Sequence, residues 1–155
     1  MLMQKSAVLH AILTRLESEL EALMRGARAS FAAATDPDSK AENKYDTRTL
    51  EASYVARGQA QRVEELQAAL RGFRALQSAA TSAVQIGSLI SLEMLGLADF
   101  YFIGPAEGGI EIVVDGHEIM VITLASPLGV QLRGRGVGDR ITLPTGQKAW
   151  LKTLE

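Results

Sequence analysis

Leu9-His10-Ala11-Ile12-Leu13-Thr14-Arg15-Leu16-Glu17-Ser18-Glu19-Leu20-Glu21-Ala22-Leu23-Met24-Arg25-Gly26-Ala27 decides the fold of the first half of the chain. Leu9, Leu13, Leu16, Leu20, Leu23 and Ala27 step by four and three in turn, the spacing of a coiled-coil seam. A second series, Val63, Leu66, Leu70 and Phe73, steps the same way, and Ala52, Ala56 and Gln59 continue its stripe upstream. Between the two lies Thr35-Asp36-Pro37-Asp38-Ser39-Lys40-Ala41-Glu42, the strongest break in this half. So short a connection turns the second helix back antiparallel to the first. With Leu9 opposite Phe73, Leu13 meets Leu70, Leu16 meets Leu66 and Leu20 meets Val63, which places the fold-back near Ala41. About 30 helical residues at 1.5 Å each give an arm of roughly 45 Å. Residues 1–78 are therefore expected to form an antiparallel coiled-coil hairpin whose tip lies near 36–46.

From 79 onward the sequence changes character, with Ser78–Ala83 as the expected hinge. Glycine becomes frequent, and β-branched runs occur at Val84–Ile90, Ile110–Val114, Glu118–Leu124, Arg140–Leu143 and Lys148–Leu154. Asp115-Gly116 between two of them is a two-residue hairpin signal. Gly104-Pro105 and Gly108-Gly109 mark a further turn. Leu128–Leu132 is expected to be a short helix, with Ser126 as N-cap and Pro127 at its first position. The expected class is α+β, a helical hairpin followed by a small, mostly antiparallel sheet domain over 79–155.

Composition narrows the function. A chain of 155 residues holds one or two small domains, and 47% hydrophobic with 22% charged residues argues against wholesale disorder. The absence of cysteine excludes disulfides and thiolate zinc sites and fits a reducing cytosol. His10 and His117 lie in different expected elements, so no histidine-rich metal site can be built from them, and no nucleophile arrangement surrounds either. A net charge of −2 gives no global attraction to nucleic acid or to an anionic membrane. Arg15, Glu17, Glu19 and Glu21 interrupt the apolar stretch Leu9–Leu23, so neither a signal peptide nor a spanning helix is expected.

The expected tip concentrates charge. Asp36, Asp38, Glu42 and Asp46 are four acids within eleven residues, hard oxygen ligands suited to Mg²⁺. The same residues read equally as helix starts. Ser39-x-x-Glu42 is a capping box, Asp36-Pro37 opens a helix, and acids favour helix N-termini. Lys40, Lys44 and Arg48 are either phosphate contacts or ordinary solvated charges. Tyr45 either stacks on a base or packs across the hairpin. Gly134-x-Gly136-x-Gly138 lacks the strand before and the helix after that a phosphate cradle requires, and is read as a turn. Arg133, Arg135 and Arg140 are candidates for a basic patch facing a macromolecular partner such as nucleic acid, with solvated surface as the alternative.

The stretch Ser126-Pro127-Leu128-Gly129-Val130-Gln131-Leu132-Arg133-Gly134-Arg135-Gly136-Val137-Gly138-Asp139 resembles the signature of the GreA/GreB family of bacterial transcription elongation factors. Ser126, Pro127, Leu128, Leu132, Gly134, Gly138 and Asp139 fall at matching spacing. Leu143-Pro144-Thr145-Gly146 is similar to the family's penultimate turn, Lys148–Leu154 to its last strand, and Ile86-Gly87-Ser88 to its opening strand. In the first half, Arg62-Val63-Glu64-Glu65-Leu66 and Leu70 resemble the returning helix. Lys40, Glu42-Asn43 and Tyr45 resemble the acidic tip, so the likeness spans the chain. It implies an FKBP-like C-terminal domain that binds RNA polymerase and a hairpin that enters the secondary channel. It also implies tip residues Asp36, Asp38, Glu42, Asn43, Tyr45 and Asp46 that assist the polymerase, with Asp38 and Glu42 sharing a second Mg²⁺ with its active site. The polymerase then cleaves its own backtracked RNA. Such a factor is not itself an enzyme. It is a cytoplasmic monomer with no membrane partner, and it meets nascent RNA or DNA only within the polymerase complex.

The tip also departs from the family pattern. Asp38 and Glu42 are four apart where the family's acidic pair is three apart, and Tyr45 follows Asn43 by two positions instead of three. About three extra residues separate Asn43 from Arg62, an offset of less than one helical turn. Two alternatives follow: a channel-binding regulator that does not stimulate cleavage, and a coiled-coil interaction module unrelated to polymerase.

Overall fold

A computed structural model describes residues 3–35 and 47–155. Two helices come first, α1 (Lys5–Thr35) and α2 (Thr47–Arg74). Strands β1 (Leu89–Met94), β2 (Leu97–Ile103), β3 (Glu111–Val114) and β4 (His117–Ile122) follow, then helix α3 (Pro127–Leu132) and strands β5 (Arg140–Thr142) and β6 (Lys148–Leu154). The expected α+β class is observed. Compaction groups the residues out of chain order: Met1–Thr14 belongs with Arg71–Glu155, and Arg15–Leu70 forms a second unit.

Within the Arg15–Leu70 unit the two helices run antiparallel. Arg62 Nη2 meets Glu19 Oε1 at 3.1 Å, and a Cβ added to Gly26 would lie 3.0 Å from the Gln59 amide nitrogen. Residues further along α1 therefore meet residues further back along α2, and the Glu19–Arg62 pair lies one residue from the expected Leu20–Val63 pairing. Leu16, Leu66, Ala69 and Leu70 are buried in this unit, whereas Leu20, Leu23 and Val63 are only half-buried. Arg71 and Arg74 in the last turn of α2 complement the negative end of its dipole.

The first turns of α1 differ from the expected seam. Val8, Ile12 and Leu16 form the buried line, while Leu9 and Leu13 are half-buried. Neighbouring residues on a helix stand about 100° apart, so Val8 and Ile12 flank the Leu9–Leu13 line and widen the apolar stripe. A stripe that wide suits a helix packed in a globular layer, which is where residues 3–14 belong.

The strands form one sheet in the order β3-β4-β2-β1-β6-β5. It is mixed: β2 and β4 pair in parallel, Phe100 opposite Ile119 and Ile103 opposite Ile122, and the other four pairings are antiparallel. The sheet is mostly antiparallel, as expected, and the β2–β4 pairing is the parallel exception. The connection from β2 through β3 to β4 brings β4 back beside β2 in the same direction, because β3 intervenes as a hairpin partner. The expected strand Val84–Ile90 is corrected to Leu89–Met94. Gly87 adopts φ 97°, which breaks extended backbone there, and Val84 bonds through its amide to Arg135 and through its carbonyl to Gly134 instead of joining a ladder. Strand β2 was not anticipated from the sequence.

Two turns explain the hairpins. Asp115 and Gly116 both take positive φ, 51° and 79°, the geometry that the β3–β4 hairpin requires and that Asp-Gly favours. Leu95 and Gly96 take the same geometry, 53° and 78°, between β1 and β2. Leucine rarely adopts this conformation, and its side chain is 90% exposed there.

The sheet has two unlike faces. On one, Ile90, Leu92, Ile103, Ile122, Ile141 and Leu151 form a core with Leu128 and Leu132 of α3. On the other, Phe102 meets Phe73 of α2 with ring centroids 6.2 Å apart. Phe73 and Val121 both stand so near Gly104 that a Cβ there would come within 2.9 Å of each.

Candidate functional site

The block that carries the family resemblance is described residue by residue. Ser126 is the N-cap of α3: its hydroxyl accepts from the Gly129 amide at 3.0 Å and donates to the Thr123 carbonyl at 2.7 Å. Pro127 occupies the first turn, where its missing N–H costs nothing. Leu128 and Leu132 are buried on the core side of α3. Gly129 has a role that the spacing alone did not reveal. A Cβ there would lie 1.9 Å from the Thr123 carbonyl oxygen, so the helix can approach the preceding backbone only through glycine.

After α3 the chain makes a compact turn. Gly134 and Gly138 take φ 76° and 92°, conformations that disfavour side chains. The Gly134 amide donates to the Val84 carbonyl at 2.9 Å, and the Gly138 amide to that of Leu151 at 2.8 Å. Asp139 closes the turn through its carboxylate, which accepts from the Gly136 amide at 2.9 Å. Gly134, Gly136 and Gly138 thus build a turn, as their spacing implied. The matched residues Ser126 to Asp139 hold α3 and β5 against the segment around Val84 and against β6.

The three arginines are held differently. Arg133 is the C-cap residue of α3, Arg135 donates from Nε to the Gln131 carbonyl at 3.2 Å, and Arg140 lies over the Trp150 ring at 5.4 Å from its centroid. Trp150 was not singled out in the sequence. Its outward position follows from the alternation Lys148-Ala149-Trp150-Leu151-Lys152, in which Ala149 and Leu151 are buried.

The tip candidates Asp36, Asp38, Glu42, Asn43, Tyr45 and Asp46, with Lys40 and Lys44, lie outside the described residues, as does the side chain of Arg48. Among the described residues no group of three or more His, Asp or Glu is placed to hold a metal ion. Nor is any described helix long and apolar enough to cross a membrane. His10 is exposed on α1, and His117 opens β4 with its ring 5.0 Å from that of Phe100.

Among the described residues, Lys5 and Tyr101 have shifted ionisation. Lys5 is almost fully buried in the first turn of α1, and its ammonium donates to the Ala79 carbonyl at 2.7 Å. Burial pushes it below its ordinary 10.5, with Glu155 opposing that shift. Burial raises the Tyr101 hydroxyl above its ordinary 10.0, and Asp99 adds to the rise.

No family model and no curated protein matches the chain. Solved structures do align with it. GreA factor homolog 1 (Gfh1) of Thermus thermophilus is 22% identical over 92% of this chain and 94% of its own, with a TM-score of 0.37. A structure described as the transcription factor Gfh1 is also 22% identical, over 94% of each chain, with a TM-score of 0.38. Gfh1 of Thermus aquaticus is 20% identical over 92% of each chain, with a TM-score of 0.37. Superposition at this level carries no functional weight.

Proposed function

We propose that this chain is a Gre-type transcription elongation factor, a cytoplasmic and non-catalytic partner of bacterial RNA polymerase. Its C-terminal half, 79–155, binds the polymerase as an FKBP-like domain, and its coiled-coil hairpin, 1–78, enters the secondary channel. The observation that carries this reading is the 126–139 block, where Ser126, Pro127, Leu128, Leu132, Gly134, Gly138 and Asp139 keep the family spacing. The antiparallel run of α1 and α2 on either side of an acidic segment supports it.

Asp38 and Glu42 are the residues assigned to the chemistry, with Asp36, Asn43, Tyr45 and Asp46 around them. Mg²⁺ takes one or two carboxylates from a given partner and keeps the rest of its shell for water and phosphate. Two carboxylates delivered to the polymerase active site supply such a share for a second ion. The polymerase, not this chain, then breaks the backtracked RNA. Stalled elongation complexes test the proposal: added protein should yield 3′-terminal RNA cleavage at saturating Mg²⁺. Asp38→Ala with Glu42→Ala should abolish cleavage and leave the unfolding temperature unchanged. If those residues serve only as helix caps, the pair loses about 0.5–2 kcal/mol of stability while cleavage persists.

A second reading is favoured by one observation, the four-residue spacing of Asp38 and Glu42. In it the chain occupies the channel and regulates transcription without stimulating cleavage. Polymerase binding with no cleavage product at saturating Mg²⁺ selects it.

A further inference from the structure

Strand β6 presents Lys148, Trp150 and Lys152 on its outward side, with Ala149 and Leu151 buried beneath. Trp150 is 50% exposed, unusual for so large an apolar side chain. In the ladder it stands between Arg140 of β5 and Glu93 of β1, and the Arg140 guanidinium lies over its ring. Three cations therefore surround one open indole. Glu93 faces them from β1 in a solvent-exposed 3.5 Å pair with Lys152, and Glu155 lines the adjoining groove. Exposed pairs of that kind hold their partners weakly, so a phosphate can displace Glu93. Lys148 donates to a neutral hydroxyl, that of Thr142.

Lys152 also borders an apolar groove of about 230 Å³ on the same face, lined in part by Ala98, Phe100, His117 and Thr153. The Phe100 and His117 rings meet there with centroids 5.0 Å apart, tilted by 55°. Two strand spacings, roughly 10 Å, separate β6 from β2. A second aromatic surface thus lies within reach of a chain that starts on Trp150.

We propose that this outer face of β5, β6 and β1 binds single-stranded nucleic acid. One base stacks on Trp150, Arg140, Lys148 and Lys152 hold the flanking phosphates, and the strand continues toward the Phe100–His117 groove. Cations alternating with an exposed aromatic on a sheet are the elements of a sequence-tolerant single-strand platform. A duplex does not fit, because its bases offer no free face to the indole. The site lies among described residues of the sheet unit and needs no polymerase to act.

The chain has a single tryptophan, so its fluorescence reports this site alone. Titration of the full chain with short oligouridylate or oligothymidylate at low salt should quench that emission saturably, and added salt should weaken binding. A preference between the two oligomers identifies the natural strand as RNA or DNA, and either one supports the proposal. With labelled oligomer and anisotropy as readout, Trp150→Ala should weaken binding about 10-fold, while Trp150→Phe retains most of it. Lys148→Gln with Lys152→Gln should weaken binding and flatten its salt dependence. The proposal is overturned by absence of quenching at low salt, or by unchanged affinity in Trp150→Ala. Equal binding of a duplex or of polyglutamate also overturns it; the polyglutamate result assigns the face to an acidic protein partner.

Discussion

On one face of the sheet, Ile90, Leu92, Ile103, Ile122 and Leu151 lie beneath Leu128 and Leu132 of α3. On the other, Phe102 lies beneath Phe73, but Trp150 remains half-exposed and Ala98 exposed. The closed face is sealed by a helix from the same stretch of chain, and its residues are fixed by backbone geometry at Ser126, Gly129, Gly134 and Gly138. The opposite face is covered at one end by a residue of α2 and left open at the other. The difference teaches what the family-like block does. Its matched residues serve the closed face and hence stability, while the exposed charge and aromatic surface lie on the face that the block does not touch.

Removing the cover from the second face should have the largest effect. Phe73→Ala should cost about 3–5 kcal/mol, read as a lower urea midpoint, because a fully buried ring against Phe102 leaves a cavity. Gly129→Ala attacks the closed face. Its new methyl collides with the Thr123 carbonyl, so α3 must shift, and a loss of about 1–3 kcal/mol is expected by the same measurement. Both effects should appear in the unfolding of the sheet unit. A neutral Gly129→Ala would mean that α3 does not approach the Thr123 backbone as described.

The turn that links β1 to β2 offers a gain. Leu95 sits at φ 53° with its side chain in water, so Leu95→Asn should stabilise by about 1 kcal/mol in thermal unfolding. Smaller again is the contribution of Lys5. Its folded pKa lies below 10.5, so between the two values the unfolded chain holds more protons and stability rises with pH. Tyr101 acts with the opposite sign, since its folded state keeps a proton that the unfolded state loses above 10.0. Urea midpoints from neutral pH to about 9.5 isolate the lysine, and Lys5→Met should remove the rise.

These residues also show how much of the molecule was legible in the sequence. Asp115-Gly116 announced its hairpin because Asp-Gly tolerates positive φ at both positions. Leu95-Gly96 makes the same turn with a residue that disfavours it, so β2 went unseen. Leu97-Ala98-Asp99-Phe100-Tyr101-Phe102-Ile103 carries no clean alternation either, since β2 is buried at one end and open at the other. Val84 was assigned to a strand because it opens a β-branched run, yet its backbone bonds to the turn at Gly134 and Arg135, a contact that no local pattern reveals. Ser126 and Pro127 were legible because a cap and a first-turn proline act within a few residues. Gly129 was not, for its constraint comes from a carbonyl in the preceding segment. The Leu9–Leu13 line was displaced to Val8 and Ile12 because an adjacent pair of apolar residues made the stripe wider than a seam. At the candidate site, Trp150 was missed as a single aromatic in a strand pattern. Its surroundings arise from pairing with β5 and β1.

Binding to the polymerase is the measurement that tests the central claim most directly. The labelled full chain, titrated with purified bacterial RNA polymerase core enzyme, should show saturable binding that a second secondary-channel factor displaces. The Asp38→Ala and Glu42→Ala pair should retain that binding, since the proposed attachment lies in the C-terminal half. No binding at polymerase concentrations that saturate an authentic channel factor would contradict the account and leave the chain as a helical interaction module of another kind.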